Sequence, residues 1–535
     1  MNRPQRQQPP PYGIVFNWDG TPPGYLDLPY SADDQLDVIY APVKNTQVGA
    51  VFWCLSTHEA AWPSDTLSVV GDAEDRRYST VKGMRRAEGI RALFDRREDF
   101  YGKLVARGHD MGLDVYASVR MNDNHFWSDS GRRAPPLAPE DMAATTRPGL
   151  TQLRKDHPKW TIGVDNGPLW AATSWNVAIP EVRDHLFQYI SEACAQANWD
   201  GVELDWQRHA FHLPETDAYQ LRYTLTDLVR AVRGMGDGIS EERGTPFYVA
   251  TRVGASRETC RRIGYDVETW VQEGLCDIVA TNANSGTDPG VEIEEYLDMM
   301  RDTGVTLYPS FDSHGETGTG RLAPTGTWME AWYRGLAQGY YRRGAAGIHI
   351  FNWHATADSR RSLLTTIGSP DTLDRTNKVY AAVKRIMRPR SEIRYGAERD
   401  DRLLGEVPVA LYRTLTGECP LFHVDVHDDV AAEDEAGHLE SISLQIELNH
   451  LSPADILEVD LDGTTLGTPE VTNTAAVDTS IPTDVAESSW FVWHLTPSQA
   501  ALGRHEIRVR LIERDPRIRP ELVLENVEFH VKYKR

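Results

Sequence analysis

"NWDGVELDWQRHAFHLP", residues 198–214, sets two carboxylates two positions apart on a short apolar run. Alternate side chains of a strand point to opposite faces. Val202, Leu204 and Trp206 then share one face, and Glu203, Asp205 and Gln207 share the other. Burying unpaired carboxylates is costly, so the polar face of this strand must border a cleft or a polar network.

Outward from this stretch, similar runs recur between residues 12 and 355. They are "YGIVFNWD" (12–19), "VGAVFWCLS" (48–56), "LDVYASVRM" (113–121), "PFYVATRV" (246–253), "CDIVATNA" (276–283), "VTLYPSFD" (305–312) and "GIHIFNWH" (347–354), with 199–206 as the fourth strand. Amphipathic segments at 86–112, 179–199, 217–236, 266–274, 292–304 and 327–344 precede the third to eighth strands as helices. Strand–helix alternation of this kind implies a parallel sheet. The fold class expected is α/β, a (β/α)8 TIM barrel followed by a C-terminal all-β sandwich domain. An open doubly wound sheet is the alternative, but no G-x-G-x-x-G follows the first strand, so nothing supports a dinucleotide site. A helix over 371–387 is expected to close the barrel, giving a catalytic barrel over 1–390. Alternating strands such as "SISLQIELNH" and "HEIRVRLIE" then predict a β-sandwich over 395–535, with the acidic stretch 427–438 as a surface loop. The longest insertion, 122–178, is aromatic-rich and follows the third strand, where functional loops gather.

The chain has 535 residues, 40% hydrophobic and 25% charged, in keeping with a globular protein of two or three domains. Its formal net charge of −23 argues against nucleic acid or an anionic membrane as partner. Five scattered cysteines form no C-x-x-C pair, which argues against a disulfide framework or a structural zinc site. The opening "MNRPQRQQPPPYG" does not read as a signal peptide. The sequence as written is therefore expected to be cytoplasmic, and secreted or periplasmic if a leader has been removed. No run reaches the roughly 18 apolar residues of a membrane span.

A barrel gathers its polar side chains at the C-terminal strand ends, and strand parity says which residues share a face there. Asn17 and Asp19 do so on the first strand; Cys54, Ser56 and His58 on the second; Arg120 and Asn122 on the third, with Asp123 and His125 just beyond. Glu203, Asp205 and Gln207 follow on the fourth, Arg252 on the fifth, Asn282 and Asn284 on the sixth, Ser310, Asp312 and His314 on the seventh, and Asn352 and His354 on the eighth. Trp18, Trp53, Phe126, Trp127, Trp160, Trp170, Trp206 and Trp353 lie close by in sequence.

Carboxylates among aromatics suit glycoside cleavage, in which one carboxyl protonates the leaving oxygen and a second attacks or activates water. The expected catalytic set is Asp205, Glu203 and Asp312, with Glu203 and Asp205 undecided between them. Same-face neighbours lie about 6.5–7 Å apart along a strand, so Asp205 is nearer the mouth and Glu203 deeper. Asn17, Asp19, Trp53, His58, Arg120, Asp123, His125, Gln207, Arg208, Arg252, Asn282, His314, Asn352 and His354 are expected to bind substrate. No H-E-x-x-H or same-strand H-x-H occurs, and no metal or cofactor is expected, although Asp, Glu, Asn and His at strand ends keep a divalent cation as a competing reading. No G-x-S-x-G elbow occurs.

The fourth-strand stretch resembles a motif, D-G-x-E-L-D-[FW]-x-R, of the family-10-like glycoside hydrolases. "YGIVFNWDG", "VGAVFWCLS" and "GIHIFNW" also resemble the first, second and eighth strands of those (β/α)8 proteins. The resemblance spans roughly 12–390 and implies a carbohydrate-active enzyme. The stretch is also similar to the chitinase-type motif D-G-x-D-x-D-W-E, but Gln207 stands where that motif has its acid, so chitinase-type catalysis does not carry over. The partner expected is a carbohydrate, and Arg120, Arg208 and Arg252 hint at anionic substituents. Three functions stay open: a glycoside hydrolase, a polysaccharide lyase using His or Arg with a carboxylate, and a non-catalytic glycan-binding protein in which Gln207 marks a lost acid.

Overall fold

The computed structural model describes residues 7–18, 31–55, 59–124, 126, 137–145, 147, 149–167, 171–281, 287, 289–312, 327–351, 353, 358–384, 405–474 and 488–534. By its contacts the chain divides into two compact units. One is drawn from Met1–Ser313, Gly344–Gly368 and Pro389–Asp400, the other from His314–Arg343, Ser369–Arg388 and Asp401–Arg535.

The first unit holds a closed parallel barrel. Its strands are β1 (Ile14–Trp18), β2 (Val48–Leu55), β3 (Asp114–Arg120), β4 (Gly201–Asp205), β5 (Tyr248–Val253), β6 (Ile278–Thr281), β7 (Thr306–Asp312) and β8 (Ile348–Phe351), paired in chain order with β8 returning to β1. Each lies inside the run that predicts it. The interior is a packed core. Tyr12, Val15, Ala50, Phe52, Tyr116, Tyr248, Ala250, Ile278 and Tyr308 fill the N-terminal end. The phenol of Tyr12 donates to Asp114 Oδ2 at 2.5 Å and lies 2.9 Å from that of Tyr116, which satisfies hydroxyls that burial would otherwise leave unpaired.

The opening stretch of β4 explains itself at this end. Asp200 Oδ2 accepts the backbone N–H of Val115 at 2.6 Å, tying the start of β4 to β3. Gly201 is required because a Cβ there would meet the Tyr248 carbonyl oxygen and the Tyr116 ring. Trp199 is buried against Tyr101, with ring centroids 5.7 Å apart, and its indole N–H reaches the Ala193 carbonyl at 3.0 Å. The N-terminal part of the motif therefore serves the fold, and only its C-terminal part remains for a site.

The region 86–112 is two helices, Val81–Asp95 and Phe100–Asp110, instead of one. The chain breaks at Arg97, whose φ is +55°, and Asp99 restarts it by accepting the N–H of Gly102 at 2.8 Å.

The second unit is a β-sandwich built from β9 (Lys378–Ala381), β10 (Val409–Leu411), β11 (Leu421–Val426), β12 (Leu439–Asn449), β13 (Ile456–Leu461), β14 (Thr464–Thr465), β15 (Glu470–Thr474), β16 (Ser488–His494), β17 (Gly503–Glu513) and β18 (Leu522–Tyr533). One sheet runs β10-β18-β12-β16-β15 with β9 also on β18, and the other runs β11-β17-β13-β14. Alternate residues face the core between them, among them Leu444, Ile446 and Leu448 of β12 and Ile507, Val509 and Leu511 of β17.

Two expectations fail here. The helix expected over 371–387 is a single turn, Pro370–Leu373, followed by β9 antiparallel to β18. The acidic loop 427–438 contains a helix, Val430–Glu435, whose start is capped by Asp429 accepting the N–H of Ala432 at 3.1 Å. Among the described residues no helix is long and apolar enough to cross a membrane.

Candidate active site

Barrel geometry places the inward residues of β4 beside those of β3 and β5. In register, Ser118, Glu203 and Ala250 form one row and Arg120, Asp205 and Arg252 the next toward the mouth. Both carboxylates are fully buried, as parity predicts for the inward face.

Glu203 is held from several strands. Its Oε2 accepts the Ser118 hydroxyl at 2.5 Å and the Asn17 amide at 2.8 Å. Its Oε1 lies 3.4 Å from His349 Nε2, while His349 Nδ1 lies 2.7 Å from the Ser310 hydroxyl. The network thus links β1, β3, β4, β7 and β8 across the barrel interior, although Glu203 Oε1 itself makes no hydrogen bond among the described residues.

Asp205 is held on one oxygen only. Its Oδ1 accepts Arg252 Nη1 at 2.9 Å and the backbone N–H groups of Gln207 and Arg208 at 3.1 and 3.2 Å. Its Oδ2 is buried with no hydrogen-bond partner among the described residues, and both amide atoms of the fully buried Gln207 are in the same position. Buried polar atoms are rarely left this way, so their concentration beyond β4 marks a place built to receive polar groups.

The turn after β4 carries backbone strain. His209 and Phe211 have φ of +55° and +78°, a region that costs non-glycine residues about 1–2 kcal/mol each. Neighbours hold it in place. Asn122 donates to the Phe211 carbonyl at 3.3 Å, and the N–H of Asn124 donates to His209 Nδ1 at 3.3 Å. The Tyr265 hydroxyl donates to the Trp206 carbonyl at 2.8 Å and lies 3.0 Å from His212 Nδ1. Desolvation pushes the fully buried His212 down to about 3, so it is neutral at ordinary pH.

Charged groups ring the mouth. Arg120 donates to Asp123 Oδ2 at 3.2 Å, and His209 Nδ1 lies 3.7 Å from Asp123 Oδ1. The guanidinium carbons of Arg252, Arg120 and Arg208 lie 4.1, 5.8 and 5.8 Å from the centre of the Phe351 ring. Within the insertion, Arg154 is buried over the rings of Trp175 (4.1 Å) and Phe126 (4.8 Å), and desolvation brings it down to about 9.

The structure thus brings together Asn17, Arg120, Asp123, Glu203, Asp205, Gln207, Arg208 and Arg252. Trp53 does not join them. It sits between the inward Phe52 and Cys54 and so points to the opposite face of β2, buried edge-on against Phe100 of the helix Phe100–Asp110 at 5.7 Å. Trp160 stacks on His157 at 3.8 Å, and Trp206 packs outward on Trp270 at 5.4 Å. Asp312 ends β7, and its side chain lies outside the description. Asp19, His58, His125, Asn282, His314, Asn352 and His354 lie outside the described residues.

On β8 the inward face carries His349 and Phe351. Sequence reasoning missed both residues. The signal was present, since Ile348 and Ile350 flank His349 and claim the outer face. Ser118 was missed as well, with no signal beyond its parity with Arg120.

No family model matches the chain, and no curated protein matches it. Among solved structures the chain is similar to the GH36 α-galactosidase AgaA of Geobacillus stearothermophilus, at 11% identity and a TM-score of 0.35 over 97% of this chain and 55% of that one. It is similar to the chitinase ChiW of a Paenibacillus species, at 12% identity and 0.35 over 96% and 56%. It is also similar to a chitinase-like agglutinin of Robinia pseudoacacia, at 11% identity and 0.35 over 66% and 99%. The chain spans little more than half the length of the first two.

Proposed function

We propose that this chain is a glycoside hydrolase working at the C-terminal mouth of its barrel, with Asp205 as the fourth-strand carboxylate and Asp312 of β7 as its partner. One observation carries this reading: Asp205 is pinned through Oδ1 by Arg252 and two backbone N–H groups, while Oδ2 and the neighbouring Gln207 amide keep their hydrogen-bonding capacity unspent. A carboxylate oriented through one oxygen and open at the other is set to attack an anomeric carbon or to take a proton from water. Glycoside hydrolysis asks this of one of its two carboxyls, while the other protonates the leaving oxygen. Gln207 offers a donor and an acceptor to sugar hydroxyls. Glu203 is a positioning residue, its Oε2 engaged by Ser118 and Asn17 and its Oε1 facing His349.

The test is a reducing-end assay over neutral, uronic and sulfated polysaccharides with wild type, Asp205→Asn and Asp312→Asn. Wild type should release reducing ends, and each variant should lose about 10²–10⁴-fold in rate. New ultraviolet absorbance from unsaturated products would point to a lyase. Binding without product by all three proteins would point to a glycan-binding protein. Full activity in both variants would refute the proposed pair.

A further inference from the structure

Away from the barrel mouth, one surface phenol differs from the other exposed tyrosines in what touches it. Tyr219 is the second residue of the helix Ala218–Arg243 and is 38% exposed. Arg261 Nη2 donates to its phenol oxygen at 2.9 Å. The guanidinium carbons of Arg222 and Arg261 lie 4.3 and 5.2 Å from the centre of its ring. The N-terminal turn of a helix adds a positive field. Each of these favours phenolate over phenol. The hydrogen bond and charge of Arg261, with the charge of Arg222, hold Tyr219 below the ordinary tyrosine range.

Acids share this surface and act the other way. Glu215 and Glu258 lie with Arg262 on one side, and Asp266 and Glu268 with Arg257 on the other. Arg222 meets Asp266 at 3.4 Å and Arg257 meets Glu268 at 2.5 Å. Charge effects weaken with distance, so the arginines in contact with the phenol prevail. Tyr219 also lines a surface recess of about 510 Å³ with Thr216 and Gln220, which a small molecule can enter.

Two tyrosines of the same chain provide the contrast. Tyr223, one helical turn on, is 63% exposed and Tyr412 is 61% exposed. The Tyr412 hydroxyl donates to Glu521, which holds that phenol above its ordinary range. Exposure alone ranks Tyr223 and Tyr412 ahead of Tyr219. The charges in contact rank Tyr219 first.

We propose that Tyr219 is a modification site, an activated phenol whose oxygen accepts acyl groups from donors such as acyl phosphates or thioesters. The phenol gives its proton to solvent and the phenolate oxygen bonds to the acyl carbon. The bond from that carbon to the leaving group breaks, and the leaving group departs with the electron pair. The ester is neutral, so acylation removes the charge that Arg261 stabilises. This site stands apart from the glycan-active reading of the barrel mouth.

The test treats the full chain with limiting N-acetylimidazole, from which imidazole leaves, and follows each tyrosine by proteolysis and mass spectrometry. Each pH unit by which a phenol falls multiplies its ionised fraction about tenfold. At near-neutral pH Tyr219 should therefore react at least about fivefold faster than Tyr223 and Tyr412. Arg261→Gln should slow Tyr219 at least about threefold and leave Tyr412 unchanged. The wild type gives a second measurement that needs no variant: as the pH rises from neutral toward the range where ordinary phenols ionise, the ratio of the Tyr219 rate to the Tyr223 rate should fall, because Tyr219 ionises first. Reaction of Tyr223 or Tyr412 as fast as Tyr219 overturns the proposal. So does a Tyr219 rate that Arg261→Gln leaves unchanged, or a ratio to Tyr223 that stays constant with pH.

Discussion

The ion pair between Arg252 and Asp205 is the contact on which the proposed site depends, and a double-mutant cycle tests it. Both side chains are fully buried and 2.9 Å apart. Arg252→Met strips the cation from a carboxylate that keeps only the N–H groups of Gln207 and Arg208, and removing one partner of a buried pair costs about 3–5 kcal/mol. Loss of the stack on Phe351, 4.1 Å from the guanidinium carbon, adds about 0.5–2 kcal/mol. Asp205→Asn keeps a carbonyl oxygen in the place of Oδ1 but leaves the fully buried Arg252 without its opposite charge, so it too should cost about 3–5 kcal/mol. In the double variant neither charge is left alone, and its cost should fall short of the sum by at least about 2 kcal/mol. Urea unfolding followed by tryptophan fluorescence and circular dichroism measures all four proteins. The reasoning is refuted if Arg252→Met costs less than about 1 kcal/mol, or if the two single costs add within about 0.5 kcal/mol.

Two further predictions concern the frame around the site. Gly201→Ala drives a Cβ into the Tyr248 carbonyl and the Tyr116 ring; because backbone cannot yield as a flexible side chain does, the cost should reach about 3 kcal/mol, read as a lowered denaturation midpoint, and an unchanged midpoint would contradict the packing. Burial holds His212 at about 3 against the ordinary 6.5, so between those values the unfolded chain binds a proton that the folded chain refuses. Stability contributed by neutral His212 is then present above pH 6.5 and is lost as the pH falls, by up to about 1.4 kcal/mol per pH unit. In His212→Gln the slope of stability against pH between about 6 and 4.5 should flatten by nearly that amount, and an equal slope in the two proteins refutes the assignment.

The barrel is legible in the sequence because each strand is short, apolar and bounded, and because period-two alternation fixes faces without knowledge of neighbours. Glu203, Asp205, Arg120 and Arg252 follow from parity alone. Parity applied consistently also removes Trp53, which sits between the inward Phe52 and Cys54, and it gives His349 on β8. Partners are a different matter. That Glu203 Oε2 meets Ser118 and Asn17 while Asp205 Oδ1 meets Arg252 depends on which strands lie beside and across from β4 in the barrel, and no local pattern encodes that. The same limit hides the convergence of three arginines on Phe351, four residues separated by up to 231 positions in the chain.

The stretch 371–387 shows where local pattern misleads. Its spacing of apolar residues fits a helix, yet Lys378–Ala381 is a strand. Val379 and Tyr380 are β-branched and aromatic, residue types that favour strands when a partner is present, and the partner, β18, lies some 150 residues further on, with Tyr380 opposite Phe529 and Val379 opposite His530. The buried Lys378 is satisfied only in that arrangement, where its ammonium meets Asp428 at 3.1 Å and lies 5.1 Å from the Tyr533 ring. An isolated helix of this length is marginal in water, so a distant strand offering backbone hydrogen bonds, with Asp428 supplying the ion pair, decides the outcome. Parity within a strand survives such competition, because every candidate partner sees the same two faces. The choice between helix and strand does not survive it, because the partner itself makes that choice.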